Sequence, residues 1–246
     1  MSAWLAELQQ QLIHTGLNVW GVADGQEYQH ILPNCQSVVV IANGGRAMWP
    51  IFLQYLQEDP IRFTDSQHPL DDFIAAQINR VDPNPPPSRR WIRCAETEKQ
   101  FIDFRPLAIA ASLGHHSHLG MIIHQQYGLW LSLRAAILTT EHIPQSLLSS
   151  IDNPCTSCPK YCAQSCPGEA FSNDGWHSTT CANFHQQSHL CNNRCQSRLS
   201  CPIATEHQHS PAQHHYHSAR KSGRKLIASW LKVEDKQVGI DLPWKG

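Results

Sequence analysis

The sequence predicts a mixed α+β fold, in which an N-terminal α/β domain precedes a small cysteine-rich module. The segment QSVVVIANGG at residues 36–45 is a run of β-branched and small apolar residues, typical of a buried strand that ends in a tight turn. The segment HPLDDFIAAQINRV at residues 68–81 places its apolar residues on one face of a helix. Eight cysteines lie between Cys155 and Cys201 and indicate the separate module.

Length and composition limit what the chain can be. With 246 residues, 41% of them hydrophobic, it can bury one full core and still carry an appended module. Charged residues are 16% and the formal net charge is -1, so nothing attracts the protein to nucleic acid or to a membrane surface. The N-terminal segment MSAWLAELQQQLIHTGL reads as a surface helix without the cationic start of a signal peptide. We therefore expect a cytoplasmic protein with neither a membrane nor a nucleic-acid partner.

The remaining elements follow from local patterns. The segment PLAIAASLG at residues 106–114 predicts a short buried helix closed by glycine. Residues 119–124 and 129–138 predict two strands joined by a polar turn. Ser210 and Pro211 predict the start of a single C-terminal helix. We expect an N-terminal domain at residues 1–150, a cysteine module at residues 151–210, and a C-terminal helix and tail at residues 211–246.

The cysteines form two groups, and each group ends in a Cys-Pro pair. The first is Cys155-x2-Cys158-x3-Cys162-x3-Cys166-Pro167, and the second comprises Cys181, Cys191, Cys195 and Cys201-Pro202. Bacterial ferredoxins use C-x2-C-x2-C-x3-C-P, where the fourth thiolate of one run binds the other cluster. Three thiolates of one tight loop reach three corners of a [4Fe-4S] cube, and the fourth corner needs a distant ligand. We also expect each Cys-Pro pair to begin a helix.

This pattern predicts two [4Fe-4S] clusters in a ferredoxin-like module. One set of ligands is Cys155, Cys158, Cys162 and Cys201, and the other is Cys166, Cys181, Cys191 and Cys195. Two sites of four thiolates for zinc are the main alternative, and disulfides are a weaker one. Cys35 and Cys94 stand alone and read as small buried side chains. The histidines after Cys166 read as solvated residues or as residues behind the ligands.

Part of the chain resembles two known families. The segment QFIDFRPLAIAASLGHHSHLGMIIHQQYGLW resembles the stretch of epoxyqueuosine reductases that reads Y-V-D-x-x-P-L-L-E-R and then G-K-N-x-L-x-I-H-P-x-x-G-S-W. The spacing from Cys166 to Cys181 also resembles that family. The segments VVVIANGGRAMWPIFLQYL, DSQHPLDDFIAAQINRV and IIHQQYGLWLSLR are similar to cobalamin-processing proteins of the cblC type.

The resemblance implies a nitroreductase-like N-terminal domain that holds cobalamin in its base-off form. By matching position, eight residues would line the corrin: His118, Leu119, Gly120, Met121, Ile122, His124, Tyr127 and Gly128. Asp103 occupies the place of the reductases' proton-donating aspartate and would be catalytic. Such a carboxyl group needs a raised pKa, so we expect Asp103 in an apolar pocket, flanked by Phe101 and Phe104. Without the resemblance, Asp103 reads as a capping carboxylate.

The chain also departs from both families. Ile109 stands where the reductases have glutamate, and residues 117–119 replace their G-K-N motif. The cblC-type proteins, in turn, have no cluster module. We therefore predict an iron-sulfur oxidoreductase that passes electrons from two clusters to a corrinoid, with cobalamin or a small molecule as substrate. An external donor of the flavodoxin or ferredoxin type would supply the electrons, and the chain could form a homodimer.

The alternative is a ferredoxin-like electron carrier or redox sensor without cobalamin. We expect the corrin pocket to lie between residues 119–124 and the helix at residues 69–81. A packed interior at that place would favour the carrier.

Overall fold

The computed structural model describes residues 2–94, 102–147, 152–191 and 194–237, apart from the side chain of Arg220. Its centre is an antiparallel four-stranded sheet with the order β1-β2-β6-β3. The strands are β1 (Val19–Asp24), β2 (Ser37–Gly44), β3 (Arg89–Arg93) and β6 (Leu131–Thr139). The α+β class predicted from the sequence is therefore correct.

The central strand β2 divides the core into two layers. All eight of its residues are buried, as the continuous apolar run predicts. Because side chains alternate along a strand, Val39 and Ile41 belong to one cluster of buried residues, whereas Val38 and Val40 belong to another. The sheet therefore has an apolar layer on each face.

Helices near the N-terminus cover the first face. They are α1 (Ala3–Ile13), α2 (Met48–Glu58), α3 (Ile61–Thr64) and α4 (Pro69–Val81). Phe52 of α2 meets Phe73 of α4 edge to face, with ring centroids 5.7 Å apart. The predicted helix at residues 69–81 has the bounds of α4, because Pro69 begins it and its apolar stripe packs on the sheet.

The second face is covered by α5 (Phe104–Ala110), which is shorter than the predicted helix and begins two residues earlier. Beyond it, β4 (His115–His116) pairs with β5 (Ile122–Ile123) as a separate small ribbon. The strand expected at residues 119–124 is thus reduced to two residues. A turn closed by the hydrogen bond from Gly120 N to Ser117 O, with Gly120 at a φ of 74°, occupies the rest.

This arrangement corrects the expected position of a corrin pocket. Helix α4 packs in the cluster on the first face of the sheet, whereas Ile122 packs in the cluster on the second face. The central sheet therefore lies between the two segments that were expected to enclose the pocket. Local patterns identified both segments, but the face on which each one packs is a long-range property.

The cysteine module consists of short elements joined by turns. These are α6 (Tyr161–Gln164), β7 (Phe171–Ser172), β8 (Gly175–Trp176), α7 (Ser178–Gln187) and α8 (Gln196–Leu199). The expectation that each Cys-Pro pair begins a helix is wrong, because turns follow both Pro167 and Pro202. A 3₁₀ helix at Thr205–His207 ends the module.

The chain then returns to the first face of the sheet through two helices, not the single one predicted. They are α9 (Pro211–Ser218) and α10 (Arg220–Leu231), and the extended backbone of Ala219, with φ -141° and ψ 83°, separates them. Ser210 caps α9 as predicted, since its hydroxyl accepts a hydrogen bond from Gln213 N at 3.2 Å. Ile227 and Ala228 of α10 join the cluster on the first face.

The segment between the sheet and the module is also attached to the domain. Ile143 is buried, and its backbone N–H donates to the Ser37 hydroxyl at 2.8 Å. The backbone N–H of Ser146 donates to the carbonyl of Val22 at 3.0 Å. Within the four described ranges, no helix has the length and apolar character needed to cross a membrane.

Candidate metal centre

Four thiols surround one cavity at the junction of the domain and the module. Cys155 and Cys158 come from the loop that leads into α6, Cys162 lies within α6, and Cys201 comes from the turn after α8. Domain residues close the opposite side of this cavity with apolar surface: Leu119, Ile123 and Leu129. The structure therefore brings together the four cysteines that the sequence assigns to one cluster, and it places them against the N-terminal domain.

The ionisation of these thiols reflects how close they are. Burial raises the pKa of Cys162, and the neighbouring thiols of Cys155, Cys201 and Cys158 raise it further. Burial likewise raises the pKa of Cys201, and Cys155 and Cys158 add to that effect. Neighbouring thiols raise one another's pKa because their negatively charged forms repel each other. A bound cation would offset this repulsion and favour the thiolates.

The other four thiols form a second group. Cys166 follows α6, Cys181 lies within α7, Cys191 follows α7, and Cys195 caps α8. Burial raises the pKa of Cys191 to about 11, with further contributions from Cys195, Cys166 and Cys181. The other three thiols lie near enough to Cys191 to act on its pKa, as expected for the second set that the spacing predicts.

Two hydrogen bonds involve cysteines of the second group. The N–H of Ala170 donates to Cys166 Sγ at 3.4 Å, and such donors stabilise negative charge on sulfur. The backbone N–H of Cys195 donates to His214 Nε2 at 3.1 Å. His214 is 3% exposed and lies behind the ligand Cys195, one of the two positions expected for these histidines. His209 is 6% exposed and is therefore not a solvated residue.

The donor set suits iron-sulfur clusters. Each group consists of four thiols, and a [4Fe-4S] cube takes four thiolates. In the first group, three thiols are close in the chain and the fourth, Cys201, comes from a distant position. Across the described residues, no three His, Cys, Asp or Glu side chains have the arrangement that holds a single metal ion. In the first group, all four ligands of a cube could come from the walls of one cavity.

The residues predicted to line a corrin lie in different local environments. His118 and Leu119 line the cavity of the first thiol group, and the His118 ring stacks on Phe171 at 5.5 Å. Gly120 lies against the ring of Trp176, whereas Ile122 is buried in the layer on the second face of the sheet. Met121 packs against the apolar cluster at the cavity.

The last three of these residues pack against protein. The Tyr127 ring lies over Gly44, and its hydroxyl accepts a hydrogen bond from Asn18 Nδ2 at 3.2 Å. His124 Nδ1 accepts hydrogen bonds from the backbone N–H groups of Gln126 and Tyr127. Gly128 faces the backbone of Ile203. The assignment of these eight residues to a corrin stays a prediction, and a corrin would have to separate the contacts of Tyr127 and Gly128.

Asp103 is not in an apolar pocket, and this corrects the expectation for a proton donor. Its side chain is 37% exposed, and its carboxylate caps α5 by accepting a hydrogen bond from Arg105 N at 3.0 Å. Phe104 is buried, while Phe101 lies outside the described residues. The structure shows Asp103 in the capping role that its residue type alone indicates.

Sequence reasoning missed several residues that line the thiol cavity. Lys160 and Tyr161 stand between two of the ligands, and Ser117 lies at the domain side. Lys160 has a φ of 60°, which is uncommon for a residue with a side chain. Their position beside Cys158 and Cys162 was the only signal available in the sequence.

Gly128 supports the position of Cys201, and this can be tested. Its φ is 53°, and a Cβ at Gly128 would lie 2.6 Å from the carbonyl oxygen of Ile203. We expect Gly128→Ala to lower the stability by about 1–3 kcal/mol and to reduce the iron content, since Ile203 follows Cys201 by two residues. Thermal unfolding and iron analysis measure both effects.

Gly45→Ala is the control for backbone strain. Gly45 has a φ of 67°, but the nearest atom to its Cβ position is 3.4 Å away. An equal loss of iron in both variants would contradict the role assigned to Gly128.

Comparisons with known proteins agree with this architecture. No protein-family model matches the sequence, and no curated protein matches it as a relative. Among solved structures, it is similar to the epoxyqueuosine reductase of Bacillus subtilis, solved with its catalytic aspartate loop swung out of the active site. That match has a TM-score of 0.54 and 16% identity, and it covers 83% of this chain and 66% of that one.

Two further structures have the same fold. The epoxyqueuosine reductase of Streptococcus thermophilus matches with a TM-score of 0.51 and 15% identity, over 81% of this chain and 66% of that one. The B12-trafficking protein CblC of C. elegans matches with a TM-score of 0.57 and 10% identity, over 95% of this chain and 96% of that one. The chain spans about two thirds of the length of these reductases. It therefore has the nitroreductase-like fold that the epoxyqueuosine reductases share with CblC, as the sequence predicts.

Proposed function

We propose that the protein is an iron-sulfur oxidoreductase that passes electrons from two [4Fe-4S] clusters to a corrinoid at the N-terminal domain. The observation that carries this proposal is the separation of eight cysteines into two groups, one of which faces the domain across a shared cavity. Such clusters reach the strongly negative potentials that corrinoid reduction requires. The fold shared with CblC and the epoxyqueuosine reductases supports the corrinoid.

The protein's own residues would have defined tasks. The first group would be held by Cys155, Cys158, Cys162 and Cys201, and the second by Cys166, Cys181, Cys191 and Cys195. Apolar side chains at the first cavity would exclude water from the side that faces the domain. The backbone N–H of Ala170 would stabilise negative charge on Cys166.

A ferredoxin-like electron carrier or redox sensor without cobalamin is the second candidate. It is favoured by the packing of the predicted corrin-lining residues, since Tyr127 lies against Gly44 and Gly128 lies against Ile203. A corrin would have to separate these contacts before it could bind. The carrier would use the domain surface to dock a protein partner.

Titration with hydroxocobalamin distinguishes the two candidates. Anaerobically prepared protein, oxidised and reduced, is mixed with hydroxocobalamin and passed over a gel-filtration column. The oxidoreductase predicts that cobalamin co-elutes with the protein and shows a base-off absorption spectrum. If cobalamin elutes separately in both redox states, the carrier is the correct function.

Iron, sulfide and zinc analysis of the same preparation tests the metal itself. Two clusters predict a brown protein with a broad visible absorption band and about eight irons per chain. A colourless protein that contains zinc would contradict both candidates.

A further inference from the structure

A group of polar side chains lies between the central sheet and α9. Arg198 connects this group to the thiol sites, since it donates to the carbonyl of Leu129 at 2.7 Å and lies beside Cys195. We call it the buried polar cluster. It comprises the buried residues Asn43, Trp130, His209 and Gln213 and the partly buried arginines Arg134 and Arg198. The His209 ring is 5.1 Å from the Trp130 ring, and the Arg198 guanidinium lies 4.5 Å from the Trp130 ring. Arg134 Nε donates a hydrogen bond to Asn43 Oδ1 at 2.6 Å.

A β-bulge brings Arg134 into this cluster. Ile41 is paired with Ala135, and the next residue, Ala42, is paired with Leu133, so Arg134 is an extra residue in β6. Bulges often redirect a side chain beside a functional site. Here the bulge is what allows Arg134 to reach Asn43.

Many polar atoms of the cluster have no hydrogen-bond partner among the described residues. They are Asn43 Nδ2, Trp130 Nε1, Arg198 Nε, both ring nitrogens of His209 and both amide atoms of Gln213. Asn43 and Trp130 are 0% exposed, Gln213 is 1% exposed and His209 is 6% exposed. An unsatisfied buried polar group costs about 1–3 kcal/mol, and native proteins retain few of them. So many in one place indicate a missing binding partner.

The cluster also holds two positive charges, on which Asp71 and Cys195 act only through space. Neither Arg134 nor Arg198 forms a salt bridge with any described residue. Arginine side chains stay charged at neutral pH, so both guanidinium groups are cationic. Burial also keeps the nearby His217 neutral, with a pKa of about 3. The cluster is therefore a cationic site rich in free donors.

We propose that the buried polar cluster binds a small oxyanion, either a carboxylate or a phosphate group. The planar guanidinium groups of Arg134 and Arg198 match the paired oxygens of such an anion. The unpaired N–H groups of Asn43 and Trp130 supply further donors. The anion would neutralise the buried charge and satisfy the donors together. The proposal concerns an anion site separate from the cluster ligands, although Arg198 also lies beside the ligand Cys195.

Calorimetric titration of the full-length protein as isolated tests the site. Inorganic phosphate and acetate are the probes, each titrated at constant ionic strength with chloride as the competing salt. We expect saturable binding of at least one of the two, and the tighter probe identifies the group. Arg134→Gln should weaken this binding at least tenfold, or about 1.4 kcal/mol.

Arg80→Gln is the matched control, because Arg80 is exposed on α4 and the same charge is removed. Binding should change less than twofold in this variant. Gln213→Leu is the second test variant in case Arg134→Gln does not fold, and it should also weaken binding. Either of two results would overturn the proposal: no saturable binding of both probes by the unaltered protein, or unchanged binding in every test variant that folds. Water would then be the partner of these atoms.

Discussion

Replacing Cys201 with serine is expected to remove about half of the iron and sulfide from the protein and to leave the other cluster in place. Cys201 comes from the turn after α8 and faces the three thiols of the loop before and within α6. Without this fourth ligand, the first cluster loses its only attachment to the second half of the module. The second thiol group has four members of its own and should keep its metal.

Double variants test the grouping itself. Cys155→Ser combined with Cys201→Ser should lose no more metal than Cys201→Ser alone, because both residues belong to the first group. Cys166→Ser combined with Cys201→Ser should lose both clusters, since the two residues belong to different groups. Cys94 lies outside both groups, so Cys94→Ser is the control variant. If both double variants lost the same amount of iron, the grouping would be wrong.

Asp235→Asn is expected to lower the free energy of unfolding by about 3–5 kcal/mol, or about 6–20 °C in Tm. Arg224 and Asp235 are 3% and 2% exposed and form a bidentate pair with distances of 2.8 Å and 2.7 Å. Arg224 also donates to the carbonyl of Phe63 at 3.1 Å and lies 4.3 Å from the Phe63 ring. Asparagine would leave the guanidinium buried without its counter-charge. The pair connects α10 to the helices on the first face of the sheet.

The pH dependence of this effect has a defined direction. Burial by itself would raise the pKa of Asp235, but the hydrogen bonds and charge of Arg224, with a hydrogen bond from Gln237 N, lower it overall. A lowered folded-state pKa stabilises the protein above the unfolded-state value of about 3.9. The difference between the unaltered protein and Asp235→Asn should be full at neutral pH. It should shrink as the pH falls below about 4.

Chemical denaturation at several pH values measures this difference. Lys236→Gln is the control, because Lys236 pairs with Asp65 at the surface, where both side chains are more than half exposed. Such a pair contributes at most about 1 kcal/mol. If Asp235→Asn lowered the free energy of unfolding no more than Lys236→Gln does, the buried pair would not stabilise the fold.

Some features of the site were predictable because they depend on local sequence. The thiol groups follow from the spacing of Cys155, Cys158 and Cys162 and from the Cys-Pro pairs, since a short loop restricts which corners of a cube it can reach. The position of Cys201 against this loop agrees with that reasoning. The expected proton donor at Asp103 was taken from the resemblance, and its capping of α5 is the local role that the residue type favours.

The sequence by itself determined the α+β class, the buried strand β2, the helix α4 and the division of the cysteines, because each depends on periodicity or spacing over a few residues. Only the tertiary structure decided that α4 and residues 119–124 lie on opposite faces of the sheet, and that the C-terminal helices return to bury His209 and His214. The physical reason is that hydrophobic attraction has no direction of its own. An apolar stripe shows that a segment is buried, but the packing of the whole chain decides against which partner.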